Sequence, residues 1–188
     1  MRLFRSLTLL LTLAAPMANA DDLYQVEMIL VRQNAVPAIV SRAAPEDWDA
    51  GAQHISPGSL RTPSLNGEVE KLTASNEYTV LLHKAWQQPL GEEASKVAIS
   101  DGKEQFGQFP IEGTLSIKQG RFTDVGADFW VNQFDADGLV TASERLNTDS
   151  HTKNGQLNFL DAGHLGLLIK ITSLTAPAPR PVPEEIPD

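Results

Sequence analysis

The sequence contains no cysteine, which excludes a disulfide framework, a thiol nucleophile, a thiolate zinc site and an iron–sulfur cluster. Cations are the minority: 15 Lys and Arg stand against 24 Asp and Glu, for a net charge of −9. That balance argues against nucleic acid as a partner, because such binding depends on cations neutralising phosphates. Long apolar runs are missing too. None approaches the roughly 20 residues of a bilayer-spanning helix, so no transmembrane anchor is expected. Aromatics make up only 6% of the chain, so its three tryptophans, Trp48, Trp86 and Trp130, stand out. What is present is a 41% apolar fraction over 188 residues, which suits one core and one domain.

The first twenty residues read as a secretory signal peptide. Arg2 and Arg5 supply the positive start, Leu7–Ala15 the apolar stretch, and Ala18-Asn19-Ala20 the small-x-small site, with cleavage expected after Ala20. The location this predicts is periplasmic. Cleavage removes two arginines and no acid, leaving 13 cations against 24 acids, a net −11. A cysteine-free exported domain must be stabilised by its core alone.

Residues 21–175 read as the single folded domain. Leu23–Val31 alternates as a strand whose second face turns apolar at its end, which suggests a place inside a sheet. Residues 34–66 hold Pro37, Pro45, Pro57 and Pro63 with Gly51 and Gly58, an irregular Pro-rich insertion. Within it, Ala44–Gln53 has the opening of a short helix, and Glu68–Ser75 reads as another. Tyr78–Trp86 is a second strand, closed by Pro89 and Gly91, and Ser95–Ser100 a weak strand or loop. From Gly113 the pattern is a meander: Thr114–Lys118, Arg121–Phe134, Leu139–Thr152, Gln156–Leu160 and Leu165–Ile171. Asn154-Gly155 is the strongest hairpin signal among its turns. Residues 176–188 carry five prolines and read as a disordered tail. The expected fold is α+β but mainly β, an antiparallel meander sheet of about six or seven strands with one or two short covering helices. A partly closed barrel is the alternative.

Catalytic motifs fail on inspection. Ser150-His151-Thr152-Lys153 matches an S-x-x-K string, but that chemistry needs a helix to bring Lys to Ser, and the flanking residues read as β. His54, His83, His151 and His164 form no ligand spacing for a metal, and no metal or cofactor is expected. Asp135-Ala136-Asp137-Gly138 reads as a β-turn, since its Gly comes too early for a calcium loop. With 24 acids, a glycosidase-like carboxylate pair has no specificity. Tryptophan beside amides suits sugar binding, and Trp86-Gln87-Gln88-Pro89 has that composition, although sealing a core edge is the commoner use of such a Trp.

The strand sequences resemble those of the CsiV-type peptidoglycan-binding family. Tyr24-Gln25-Val26-Glu27-Met28-Ile29-Leu30-Val31 is similar to its opening strand, and Tyr78 to Pro89 to its central motif Y-x-V-L-x-H-x-x-W-x-Q-P. Gly113 to Ile117 and Gly120-Arg121-Phe122 resemble its next hairpin, and Leu157–Ile171 its closing strands. Two departures stand out. Gln87 replaces the usual central Arg, and Asn158-Phe159-Leu160-Asp161-Ala162-Gly163 replaces a His-Tyr-Leu-Asp-His-Pro turn. The resemblance implies a non-enzymatic periplasmic protein that binds peptidoglycan and supports cell-wall synthesis and cell shape. Its expected ligand contacts are His83, Trp86, Gln87, Gln88 and Asp161. A cell-wall synthase or its envelope activator stands as a second candidate partner. The rival readings are an adaptor that binds another envelope protein and a metal-dependent wall hydrolase with scattered ligands.

Overall fold

The computed structural model describes residues 22–175, so the expected signal peptide and Pro-rich tail lie outside the described residues. Strand alternation organises everything that follows. In β1 (Asp22–Gln33), Val26, Met28 and Leu30 point into the main core while Glu27, Ile29 and Val31 point the other way, and all six are buried. A strand buried on both faces needs neighbours on both edges, and β1 pairs antiparallel with β4 (Tyr78–Leu90) and with β10 (Leu165–Ser173). With β9 (Leu157–Ala162) at the far side, these strands form a four-stranded sheet ordered β4-β1-β10-β9.

The meander forms a second sheet. β5 (Ser95–Asp101), β6 (Ile111–Gln119), β7 (Thr123–Phe134) and β8 (Val140–Thr152) follow one another antiparallel. Two two-residue strands finish its edges: β2 (Val40–Ser41) on β8, and β3 (Gln53–His54) parallel to β5, giving the order β2-β8-β7-β6-β5-β3. The inward residues of both sheets make one core, including Trp86, Leu115, Ile117, Phe129, Leu146, Leu167 and Ile169. The mainly β, antiparallel architecture expected from the sequence is therefore present as two facing sheets, and no closed barrel forms. Gly113 lies under Phe129, where a Cβ would come within 2.6 Å of the Phe129 backbone, so the aromatic ring fills the space a side chain would need.

Several local expectations change. Asn154-Gly155 closes no hairpin: β8 and β9 belong to different sheets, and the Gly155 N–H bonds the Ile171 carbonyl as the chain turns the corner between them. The tight hairpin is Gly163-His164, joining Ala162 to Leu165, with Gly163 at φ +81° as the first residue of a primed turn requires. Pro89 does not end β4, because β4 is an edge strand that can spare an N–H. No helix forms over residues 44–53: residues 46–51 make turns, with Ala50 and Gly51 at positive φ, and Gln53 begins β3. The other expected helix forms as α1 (Asn66–Ala74), the one α-helix among the described residues.

The Pro-rich insertion is a strap. It pairs with β8 through β2, crosses the outer face of the six-stranded sheet with Ala44 and Trp48 packed on Ala98 and Trp130, and pairs with β5 through β3. It then passes to the other sheet, where Leu65, Val69 and Leu72 cover Ile29, Val31 and Leu168.

Candidate functional site

The central motif is mostly occupied inside the fold. Glu27 projects from β1 onto the outer face of its sheet and is 2% exposed. Its carboxylate accepts the Ser64 N–H at 2.8 Å, the Leu65 N–H at 2.8 Å and the Ser64 hydroxyl at 2.6 Å, all at the entry to α1. His83 Nε2 lies 2.8 Å from the same carboxylate. Burial pushes the Glu27 carboxyl up, but these hydrogen bonds outweigh burial and hold it below the ordinary value. Glu27 and His83 thus fix where the strap becomes a helix.

Trp86, 1% exposed, faces the core between the sheets and offers solvent no ring face. Its Nε1–H donates to Gln88 Oε1 at 2.9 Å, and Gln88 Nε2 donates to the Ser95 carbonyl and hydroxyl at 3.1 and 2.9 Å. This relay fastens the end of β4 to the start of β5, where the chain crosses from one sheet to the other. Gln87 points to the opposite face, as strand alternation requires, and accepts from Arg61 in a shallow cleft that also holds His54 and Lys96. Asp161 Oδ1 accepts Gln33 Nε2 and the Gly163 N–H, both at 3.0 Å, and so holds the β9–β10 turn. The structure therefore gathers Trp86, Gln87 and Gln88 along one cleft, with Trp86 bonded to Gln88, and sets His83 and Asp161 apart from them.

His164 follows in the same turn and is buried, its Nε2 3.3 Å from Glu144 Oε2 and its ring nitrogens without a hydrogen bond. Arg32 grips Glu144 with two bonds of 3.0 and 2.6 Å. Arg32 comes from β1 and Glu144 from β8, so this cluster ties one sheet to the other.

The concave site lies on the outer face of the six-stranded sheet, beneath the strap. A groove of about 520 Å³ runs between Arg42, Asp47 and Trp48 of the strap and Lys96, Thr114, Asp128, Trp130 and Arg145 of β5 to β8. Arg145 stands directly across from Trp130 in the β7–β8 register, its guanidinium 4.6 Å from the ring centroid. It also clasps Asp128 with two bonds of 2.8 Å, and that hydrogen bonding raises its pKa further. Trp48 meets Phe109 edge-on at 6.1 Å and His54 at 5.5 Å.

A buried network supports the groove's back wall. Glu112, fully buried, accepts the Phe109 N–H at 2.8 Å and Asn132 Nδ2 at 2.7 Å, while Asn132 Oδ1 accepts the Ser143 hydroxyl at 2.6 Å. Here burial prevails over those two bonds and raises the Glu112 pKa. The same face continues toward Ser116, Gly126, Asp149 and His151 as a second hollow of about 330 Å³. Gly126 forms its floor, since a Cβ there would meet Asp149 Oδ1 at 2.7 Å.

Of the groove residues, only Trp48 and Trp130 drew notice in the sequence. The signal that could have found this face is the alternation of Asp124, Gly126, Asp128 and Trp130 against Val125, Ala127, Phe129 and Val131. The contributions of Arg42, Lys96 and Arg145 depend on strap path and strand register, which no local pattern carries.

A family model described as "Peptidoglycan-binding protein, CsiV" matches residues 2–62 and 57–174. No curated protein and no solved structure matches the chain. The match takes in the opening strand, the strap, the central motif, the meander and the closing hairpin, and the chain belongs to the CsiV family of peptidoglycan-binding proteins.

Proposed function

We propose that this protein works in the periplasm as a non-enzymatic peptidoglycan-binding accessory of cell-wall synthesis and cell shape, with the wall polymer held in the groove beneath the strap. One observation carries the reading. The groove is the place where a concave surface, two tryptophans and several charged side chains converge on rigid strands. Among the described residues the three buried carboxylates, Glu27, Glu112 and Glu144, are engaged by the chain's own donors, which suits a frame better than acid–base chemistry. His83, Trp86 and Gln88 act in this reading by holding that frame. Gln87 reaches the ligand from the adjoining cleft, which meets the groove at Lys96. Asp161 keeps the far turn in place.

Sedimentation with purified sacculi tests the proposal. The protein is expected in the pellet, with no muropeptide released on prolonged incubation. Full recovery in the supernatant at low salt would overturn wall binding, and soluble muropeptides would overturn the non-enzymatic assignment.

A further inference from the structure

We infer that the groove recognises the stem peptide of the wall polymer rather than its glycan, gripping a carboxylate with Arg42 and Lys96 and an ammonium with Asp47. This rests on the reading of the groove as the wall site and says which part of the polymer enters it.

The tryptophans argue against sugar. A pyranose needs an open indole face, yet Trp48 is 7% and Trp130 6% exposed. The Arg145 guanidinium already covers Trp130, and the bidentate pair with Asp128 holds it there. The two indoles are walls rather than platforms.

The charges favour a dipolar peptide. Arg42, Asp47 and Lys96 are exposed and line the groove. Among the described residues, none of the three has an opposite charge within 4.0 Å, whereas Arg145 and Asp128 in the same groove satisfy each other. Two unpaired cations facing one hollow are out of keeping with a chain of net charge −9, whose general field repels anions. Asp47, on the strap with Arg42, adds the opposite charge. Wall stem peptides carry free carboxylates and the amine of a diamino acid, which complements this arrangement. The volume of about 520 Å³ suits a few amino-acid residues. Lys96 is held in register by the Gln88–Ser95 bonds one residue earlier, so the charge sits on an anchored backbone.

The experiment compares binding of the protein to intact sacculi, to glycan strands stripped of peptide by an amidase, and to a free stem tetrapeptide. Intact sacculi and tetrapeptide are expected to bind and stripped strands to lose binding. The Arg42→Ala/Lys96→Ala double variant should weaken tetrapeptide binding about tenfold or more with an unchanged melting temperature. Asp47→Asn should weaken binding of the tetrapeptide but not of a form acetylated on the side-chain amine of its diamino acid. Stripped strands that bind as well as intact sacculi would overturn the stem-peptide assignment while leaving wall binding in place. Intact sacculi that fail to bind would overturn wall binding itself. Tetrapeptide binding that the double variant leaves untouched would move the site out of the groove.

Discussion

The two outer faces of the sandwich are built from the same kind of strand and treated in opposite ways. On the four-stranded sheet, Ile29, Val31 and Leu168 are closed over by α1, and Glu27 below ties the cover down. On the six-stranded sheet the strap touches down at Trp48 and leaves a charged groove beside that contact, with a second hollow beyond it along the same strands. Each face also buries a carboxylate, and the two shift in opposite directions: Glu27 below its ordinary pKa, Glu112 above it. Glu27 receives four donors and stays ionised, whereas Glu112 receives two and has its charge opposed by burial. The covered face invests its polar groups in stability, and the open face keeps some of its own unpaired.

The largest effect falls on what both faces share. Trp86→Ala should cost about 4 kcal/mol by removing a buried indole and freeing Gln88 from its relay, read as a lowered denaturant midpoint. Retention of wild-type stability would mean that the two sheets do not depend on this contact.

Glu27→Gln comes next, at about 3 kcal/mol, because a neutral amide cannot accept from Ser64, Leu65 and His83 together. The pH dependence follows from the sign. A carboxyl lowered in the folded state contributes stability that is present above its ordinary value of 4.5 and lost as pH falls through the folded value. The gap between wild type and variant should therefore shrink below about pH 4.5 in urea melts.

Glu112→Gln should be milder, about 1 to 2 kcal/mol, with the opposite slope. A carboxyl raised in the folded state carries no ionisation cost below 4.5 and an increasing one as pH climbs from there to its folded value. Relative to wild type, this variant should improve over that rise, whereas the Glu27→Gln deficit grows only as pH climbs toward 4.5 and is flat above it. Parallel slopes would erase the distinction between the faces.

Arg145→Ala is the smallest change in stability, under about 1 kcal/mol, since its pair with Asp128 is solvent-exposed. Its effect should appear in sacculus binding, where Trp130 is uncovered and Asp128 left unpaired.

The strands were legible in the sequence because two-residue alternation is local. β1, β4, β7, β8 and β10 fall within a few residues of their expected ends, and α1 begins two residues before its expected start. Their division between two sheets was not legible. Asn154-Gly155 has the chemistry of a hairpin turn, but positive φ at a glycine serves a corner between sheets equally well. The motif residues His83, Trp86 and Gln88 were visible as unusual, yet composition could not show that Glu27 and Ser95 already engage them. The groove was least legible of all, because it joins residues 42–48 to residues 96–145 through a strap with no periodicity.

The strand order also dictates a schedule. β5 to β8 pair with sequence neighbours and can zip up as they emerge, but β1 must wait for β10, so that Tyr24 finds Ser173 only when nearly the whole domain has been made. Throughout that interval Val26, Met28, Ile29, Leu30 and Val31 form an apolar strand with one designated neighbour still to be synthesised. The last segment to arrive completes the four-stranded sheet, and until it does β1 is the stretch of this chain most exposed to pairing with the wrong partner.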